Sequence, residues 1–509
     1  MDVTQILMLI TILVYLAAMV GIGAVLAKQN QTTDDFYLGG RTLGPLVTAM
    51  SAEASDMSSW LLMGLPGVAY LSGTADAAWT AIGLAIGTYV NWLVVAKRLR
   101  NYTHVCGNST TLPLFFSNRY RDNKRILSVI AALLIIIFFV PYTASGFAAC
   151  GKLFANLFGM DYLPAMLISA IVIVAYTTLG GFLAASTTDF VQSIVMTIAI
   201  VVVFGFGISK VGSFSAVMDN AKSMAGYFSL THTHDVATGT ASPYSLLQIF
   251  STLAWGLGYF GMPHVLLRFM AIGDANKLKL SRRVATVWVV ISMAVSVFIG
   301  VIGNAMTKAD VLPTLKDPET IILVVADLIS KHGVLATIIA GLILAGILAA
   351  TMSTADSQLL AASSSASQNI LKEVFMKDMS EKTGMLIARI TVLVIALIGV
   401  FIARNPDSSV FQIVSFAWAG FGASFGPLVL LALFWKRSTF QGALCGMVSG
   451  GVMVFVWKFL IRPMGGALGI YELLPAFLLG LAVNVIVSLL TPAPSREVQD
   501  EFDKVASMK

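Results

Sequence analysis

Apolar residues dominate this chain in long blocks rather than in short periodic stripes. Runs of 18 or more mostly apolar residues recur from end to end, and each is long enough to cross a bilayer as one helix. About thirteen such spans are predicted by the roughly 20-residue criterion. They fall near 4–27, 44–71, 75–96, 126–149, 162–181, 188–209, 244–263, 284–306, 334–364, 386–403, 409–434, 440–460 and 470–490. The connections are short and polar, and none has room for a soluble domain. The pattern predicts an all-α polytopic membrane protein.

Two spans break their own pattern. The second carries Pro45, Gly64, Pro66 and Gly67; the seventh reads WGLGYFGMPH, with Gly256, Gly258, Gly261 and Pro263. They lie five spans apart. Paired Gly/Pro-interrupted helices at matching positions are a pointer to a transporter site between two inverted repeats, although Gly and Pro are also common in membrane helices generally. The spacing divides the chain into a first helix and loop (1–43), a first repeat (44–211), an outer loop (212–243), a second repeat (244–435), two further helices (436–490) and a tail (491–509).

Composition narrows the class. Of 509 residues 57% are hydrophobic and only 11% charged, more apolar surface than a soluble protein of this size buries. The net charge of +6 resides in short loops, so it does not indicate nucleic acid. Sorting the 32 Lys and Arg residues by side puts about 23 inside and about 9 outside when the N-terminus is outside. The inner set includes Lys97, Arg98, Arg100, Arg119, Arg121, Lys124, Arg125, Arg268, Lys277, Lys279, Arg282 and Arg283. The tail is then cytoplasmic, and Asn101-Tyr-Thr and Asn108-Ser-Thr are chance matches to the glycosylation pattern. The start, MDVTQ, lacks the basic residues of a cleavable signal. Cys106, Cys150 and Cys445 have no metal-ligand or disulfide spacing and are expected to be structural. His232 and His234 fall in the outer loop, where a solvated role is expected.

Charge inside the apolar blocks marks candidate chemistry. Ser51 to Gly67 reads SAEASDMSSWLLMGLPG; an Asp at the bilayer centre costs roughly 2.5–3.5 kcal/mol, so Glu53 and Asp56 need a reason to be there. Carboxylate, hydroxyls and unwound backbone together make an oxygen-rich site for a small cation. The ninth span adds Ala350, Ser353 and Thr354 on one helix face. Hydroxyls from Ser353 and Thr354, with backbone carbonyls freed near Ala54, Met57 and Ala350, could form a five-oxygen neutral cage of the kind Na⁺ accepts. Equally, Ser and Thr hydroxyls in membrane helices commonly bond the preceding turn. Asp356, two residues past Thr354, could tune such a site or pair with a basic residue near the inner face. Trp255 and Tyr259, at i and i+4, can share a face and cover a compact ring carrying a cationic nitrogen. No HExxH, P-loop or GxSxG string occurs, and no signalling domain is appended.

SAEASDMSSWLLMGLPG, FYLGGRTLGPLVTAMSA, GGFLAASTTDFVQ, WGLGYFGMPH, ILAATMST and FAWAGFGASFGPLVLLALFWKR resemble, in order, segments of the sodium/solute symporter family, and of its sodium/proline members in particular. The resemblance runs from about residue 30 to 490. It implies thirteen helices with a five-plus-five inverted-repeat, leucine-transporter-like core. It further implies Na⁺-coupled uptake of proline or another small amino acid across the cell membrane, with H⁺ coupling as an alternative, and no enzymatic activity. Residue by residue it implies Na⁺ binding at Ala54, Met57, Ala350, Ser353 and Thr354 with Asp56, and no transition metal. It puts Ser55, Ser58, Tyr142, Trp255, Tyr259 and Pro263 on the substrate side, Arg41 at a coupling position and Asp189 on the ion's exit route. Glu53 and Ser59 stand where those relatives carry glycine; Glu53 could hold a proton, a cation or the substrate ammonium, or hydrogen-bond another helix.

Overall fold

The computed structural model describes residues 2–28, 32–375, 379–405 and 409–508; of the terminal segments, Met1 and Lys509 lie outside them. Among the described residues, ten helices are long and apolar enough to cross a membrane, and three shorter apolar helices complete the thirteen expected spans. We number the pieces α1 (Val3–Leu26), α2 (Pro45–Asp56), α3 (Trp60–Ser72), α4 (Thr74–Val105), α5 (Ile126–Phe158), α6 (Tyr162–Ala175), α7 (Gly181–Val211), α8 (Leu246–Phe260), α9 (Pro263–Ala271), α10 (Ala275–Lys308), α11 (Val334–Glu373), α12 (Lys382–Ala403), α13 (Val410–Phe434), α14 (Phe440–Met464), α15 (Leu473–Leu490) and α16 (Arg496–Ser507).

The layers follow the polarity of the helices. Of the ten long helices α11 and α13 are the most enclosed, whereas α1, α12, α14 and α15 lie at the periphery. Their outer faces carry Leu13, Val14, Leu397, Phe401 and Leu490, all more than half exposed, the apolar surface that a bilayer would cover. Inside, α11 packs on α1, α2, α5 and the Tyr162–Val211 stretch that holds α6 and α7.

Both interrupted spans are broken. α2 begins at Pro45, where the missing N–H costs nothing, and ends at Asp56–Met57 because Ser58 takes a positive φ of 24°. The chain resumes as a wider-wound turn over Trp60–Gly64. In the seventh span a tight helix over Ala254–Phe260 gives way at Gly261. Met262 is extended (φ −75°, ψ 107°), as a residue before proline prefers, and Pro263 starts α9. The sequence reading ended this span at Pro263 and placed Arg268 in an inner loop. The structure corrects both: Pro263 is the first residue of a second half-helix, and Arg268 is buried within it.

α8 comes close to α4 because both present glycine. A Cβ on Gly256 would stand 2.2 Å from the Gly83 carbonyl oxygen, and one on Gly87 would stand 2.4 Å from the Gly256 oxygen. At one end of the bundle the strand-like segments flanking the two broken helices meet: Leu43 and Ile272 form a parallel bridge, with Leu43 N donating to Ala271 O at 3.2 Å and Gly273 N to Leu43 O at 3.0 Å. At the other end the 212–243 loop is more ordered than a solvated linker. It holds a helix, Phe214–Ser223, and a hairpin pairing His232–His234 with Ala241–Pro243, which with the Leu43–Ile272 bridge departs from an otherwise helical chain.

Candidate functional site

The centre of the molecule is where α2 and α8 stop being regular. Asp56, the last residue of α2, is buried. Its Oδ2 accepts a 2.6 Å hydrogen bond from the Tyr259 hydroxyl, and its carbonyl accepts one of 3.1 Å from the Tyr142 hydroxyl. Oδ1 has no hydrogen-bond partner. Three residues named from the sequence thus converge from α2, α5 and α8. Pro141 precedes Tyr142 inside α5.

The oxygens of the expected cation cage also come together. Ser353 Oγ donates to Ala54 O at 2.8 Å and lies 3.2 Å from Ala350 O; Thr354 Oγ1 donates to Ala350 O at 3.0 Å. Four of the five oxygens are therefore within one hydrogen-bonded cluster between α2 and α11. Two carbonyls differ from expectation: Ala350 stands inside the unbroken helix Val334–Ser364, so no break frees its carbonyl. The Met57 carbonyl is not freed by the break, because Leu61 N bonds it at 3.1 Å; it keeps one acceptor lone pair. The set fits Na⁺ chemically, being neutral, hard and all oxygen. Asp56 directs its Oδ2 to Tyr259 rather than to this cluster.

Other named residues play mixed parts. Ser58 Oγ accepts from Trp60 N at 3.0 Å, holding the break, while Ser55 Oγ bonds back to Ala52 O. Trp255 joins an aromatic floor: it stacks on Tyr471 at 5.1 Å and contacts Trp60 at 5.6 Å and Phe411 at 5.5 Å, and its carbonyl accepts from Trp418 Nε1. Above that floor opens a cavity of about 330 Å³, lined by Asp76, Tyr244, Trp255, Phe411, Arg462 and Tyr471 among others. Arg41 sits at the opposite end, bonding Met270 O at 2.6 Å and Ser109 O at 2.8 Å.

Asp189 is not isolated. Its Oδ2 accepts from Ser51 Oγ at 2.6 Å and pairs with Arg268 Nη2 at 3.2 Å. Arg268 also donates to Ser51 Oγ, to His264 O and, at 2.5 Å, to Ser357 Oγ, whose hydroxyl lies 2.9 Å from Ser353 O and 3.1 Å from Asp356 Oδ1. This buried network ties α2, α7, α9 and α11 together between the central site and the Arg41 end. The sequence reading missed Arg268, Ser51 and Ser357. The signal was present: one Arg in the apolar run PHVLLRFMA, a residue that within a membrane span needs a partner. Of the alternatives for Glu53, the hydrogen bond to another helix is the one observed, Trp92 Nε1 donating to Oε1 at 2.8 Å; Oε2 and the neighbouring Ser59 hydroxyl have no partner. Cys106 and Cys150 are buried and Cys445 exposed, all three free. His234 bonds the Ala225 carbonyl within the outer loop.

A profile of the sodium:solute symporter family matches residues 36–450. The chain belongs to the sodium:solute symporter family. The sodium/proline symporter of Salmonella typhimurium is 41% identical over 502 residues, 98% of this chain and 96% of its own. The high-affinity proline transporter PutP of Bacillus subtilis is 42% identical over 482 residues, 95% and 98% of the two chains. Among solved structures, a substrate-bound, outward-open Na⁺-coupled sialic acid symporter superposes with a TM-score of 0.78 at 18% identity, over 96% of this chain and 99% of that one. That likeness carries the fold: this symporter is an all-helical, multi-pass membrane protein of leucine-transporter-like architecture. It is a transporter, not an enzyme.

Proposed function

We propose that this symporter takes up L-proline by coupling it to inward Na⁺ movement through alternating access. The observation that carries this reading is the 41% identity with a sodium/proline symporter along essentially the whole chain. It is supported by the convergence of Asp56, Tyr142 and Tyr259. Na⁺ is a transported co-substrate. It binds Ala54, Met57 and Ala350 through carbonyls and Ser353 and Thr354 through hydroxyls, and so draws α11 onto the broken α2. Asp56 is the carboxylate beside it. Proline occupies the space between Asp56 and the aromatic floor, with Ser55, Ser58, Tyr142, Trp255, Tyr259 and Pro263 on its side. Freed backbone N–H groups at the breaks suit its carboxylate, and the aromatic faces suit its cationic ring nitrogen.

The Lys/Arg bias assigns the Arg41 end to the cytoplasm, with the N-terminus outside and the tail inside the cell membrane. Segments 44–211 and 244–435 are the two repeats that rock about the site. The cavity above Trp255 is then the outer entrance, and Arg41, the Leu43–Ile272 bridge and the Asp189–Arg268 pair close the inner side; Na⁺ leaves past Asp189 once they part. Each inward Na⁺ contributes about 2.3 kcal/mol per 100 mV.

The test is labelled-proline uptake into proteoliposomes under an inward Na⁺ gradient, with K⁺ and H⁺ gradients as controls and unlabelled competitors. Uphill uptake with Na⁺ alone, blocked only by proline and close analogues, is the expected result. Na⁺-driven uptake of a different competitor moves the substrate claim to the surroundings of Glu53 and Ser59, and uptake driven by H⁺ alone removes the Na⁺ claim.

A further inference from the structure

The tail helix α16 is amphipathic and docked. Val498, Phe502 and Val505 are buried, at i, i+4 and i+7, so one face is apolar. Phe502 lies under two guanidinium groups, with Arg98 Cζ 4.8 Å and Arg119 Cζ 5.5 Å from its ring centroid, and meets Tyr102 edge-on at 6.4 Å. Arg119 is fully buried, and its Nη1 and Nη2 have no hydrogen-bond partner. Its charge rests on the faces of Tyr102, Tyr120 and Phe502. At the rim, Arg121 forks onto two successive turns of α16, Nε to Glu497 at 3.0 Å and Nη2 to Glu501 at 2.9 Å. Lys436, on the turn after α13, pairs with Asp503.

What α16 grips also forms the closed end of the bundle. The last turns of α4 present Arg98 and Tyr102 (i, i+4) to the tail and Arg100 and Thr103 (i, i+3) to the other side. Arg100 Nε bonds Ile272 O at 2.8 Å, and Arg41 bonds Thr103 Oγ1 at 3.4 Å as well as Ser109 O and Met270 O. One short helical segment therefore joins the tail to the contact between the start of α2 and the end of α9.

We propose that α16 is a clamp on this closed end, with Phe502 and Arg121 as its positioning residues. They hold the Ala96–Ser109 segment where Arg41, Met270 and Ile272 require it. Undocking the tail shifts the protein toward the form open at this end. The assignment of that end to the cytoplasm, and the consequence for Na⁺ affinity, rest on the transport reading; the clamp itself does not. A ligand that binds only the form closed at this end has its apparent affinity reduced by the fraction of protein in that form. Loss of the clamp therefore weakens Na⁺ affinity from outside while sparing the maximal rate.

The experiment is hydrogen exchange on the full chain in lipid nanodiscs, read at the Leu43 and Gly273 amides that bridge the two segments. Phe502→Ala and Arg121→Glu are expected to speed exchange there about tenfold, with the hairpin around Asp235 and Tyr244 unchanged. Exchanging the charges, Arg121→Glu with Glu497→Arg and Glu501→Arg, restores protection. In proteoliposomes the first two variants raise the half-saturating Na⁺ concentration several-fold at near-normal maximal rate. Should Phe502→Ala lose protection throughout, the charge variants decide, because they leave the apolar plug in place. Wild-type protection at Leu43 and Gly273 while the α16 amides exchange freely overturns the clamp. Absence of Na⁺-driven uptake in the wild type overturns the transport reading instead and leaves the exchange result standing.

Discussion

Tyr259 donates its hydroxyl proton to Asp56 Oδ2 at 2.6 Å, joining the two helices that the sequence interrupts. A hydrogen bond to a charged group is worth roughly 1.5–3 kcal/mol, so Tyr259→Phe is expected to raise the half-saturating proline concentration by between about tenfold and a hundredfold. Asp56→Asn is expected to abolish Na⁺-dependent high-affinity uptake. Because the two residues share one bond, the double variant should do little further harm beyond Asp56→Asn alone. Full additivity in equilibrium binding of labelled proline, at proline concentrations high enough to saturate Asp56→Asn, would show that the bond is irrelevant to the site.

The hydroxyls on α11 separate in the same assay. Ser353 reaches across to Ala54, whereas Thr354 bonds only Ala350 within its own helix. Thr354→Ala and Ser353→Ala should each raise the half-saturating Na⁺ concentration by at least tenfold, and Thr354→Ser, which keeps the oxygen, should not. Membrane insertion is checked by the yield of folded protein. Wild-type Na⁺ dependence in both alanine variants would sink the five-oxygen site.

Much of this was legible in the sequence. Thirteen spans follow from block length, and the two breaks follow from clustered Gly and Pro. The closeness of Ala54 to Ser353 stood as one of two readings of the hydroxyl spacing until the family resemblance favoured it; that of Asp56 to Tyr142 and Tyr259 entered through the resemblance alone, since no local pattern states which helices meet. The Met57 carbonyl shows one limit: a break in the helix was legible, but not the wider turn that lets Leu61 N still reach it. Arg268 shows another. A charge near the end of an apolar run reads as loop, and only packing reveals the Asp189, Ser51 and Ser357 partners that make its burial tolerable.

Glu53 offers a stability test. Gln keeps an acceptor for Trp92 Nε1, so Glu53→Gln should leave thermal stability in detergent nearly unchanged. Glu53→Leu strands a buried N–H, at a cost of about 1–3 kcal/mol, and should lower the melting temperature measurably. Equal melting temperatures for the two variants would mean the 2.8 Å bond contributes nothing to the fold.

The Arg268–Asp189 pair tests structure against cycle. Both side chains are buried, and removing one partner of such a pair costs roughly 3–5 kcal/mol because the other is left charged and unpaired. Arg268→Met should therefore destabilise strongly, while Arg268→Met with Asp189→Leu should recover most of the loss, since an apolar pair of similar volume is often as stable as the ion pair it replaces. Transport should not recover with it. An apolar pair has no charge to solvate when the inner side opens, and it offers a departing Na⁺ no oxygen. The double variant is expected to insert and to melt above Arg268→Met alone but below the wild type, because Ser51 and Ser357 lose the guanidinium they bond, and to turn over slowly, a defect in maximal rate rather than in apparent affinity. If it transports at the wild-type rate, the pair is structural filling and the ion leaves by another route.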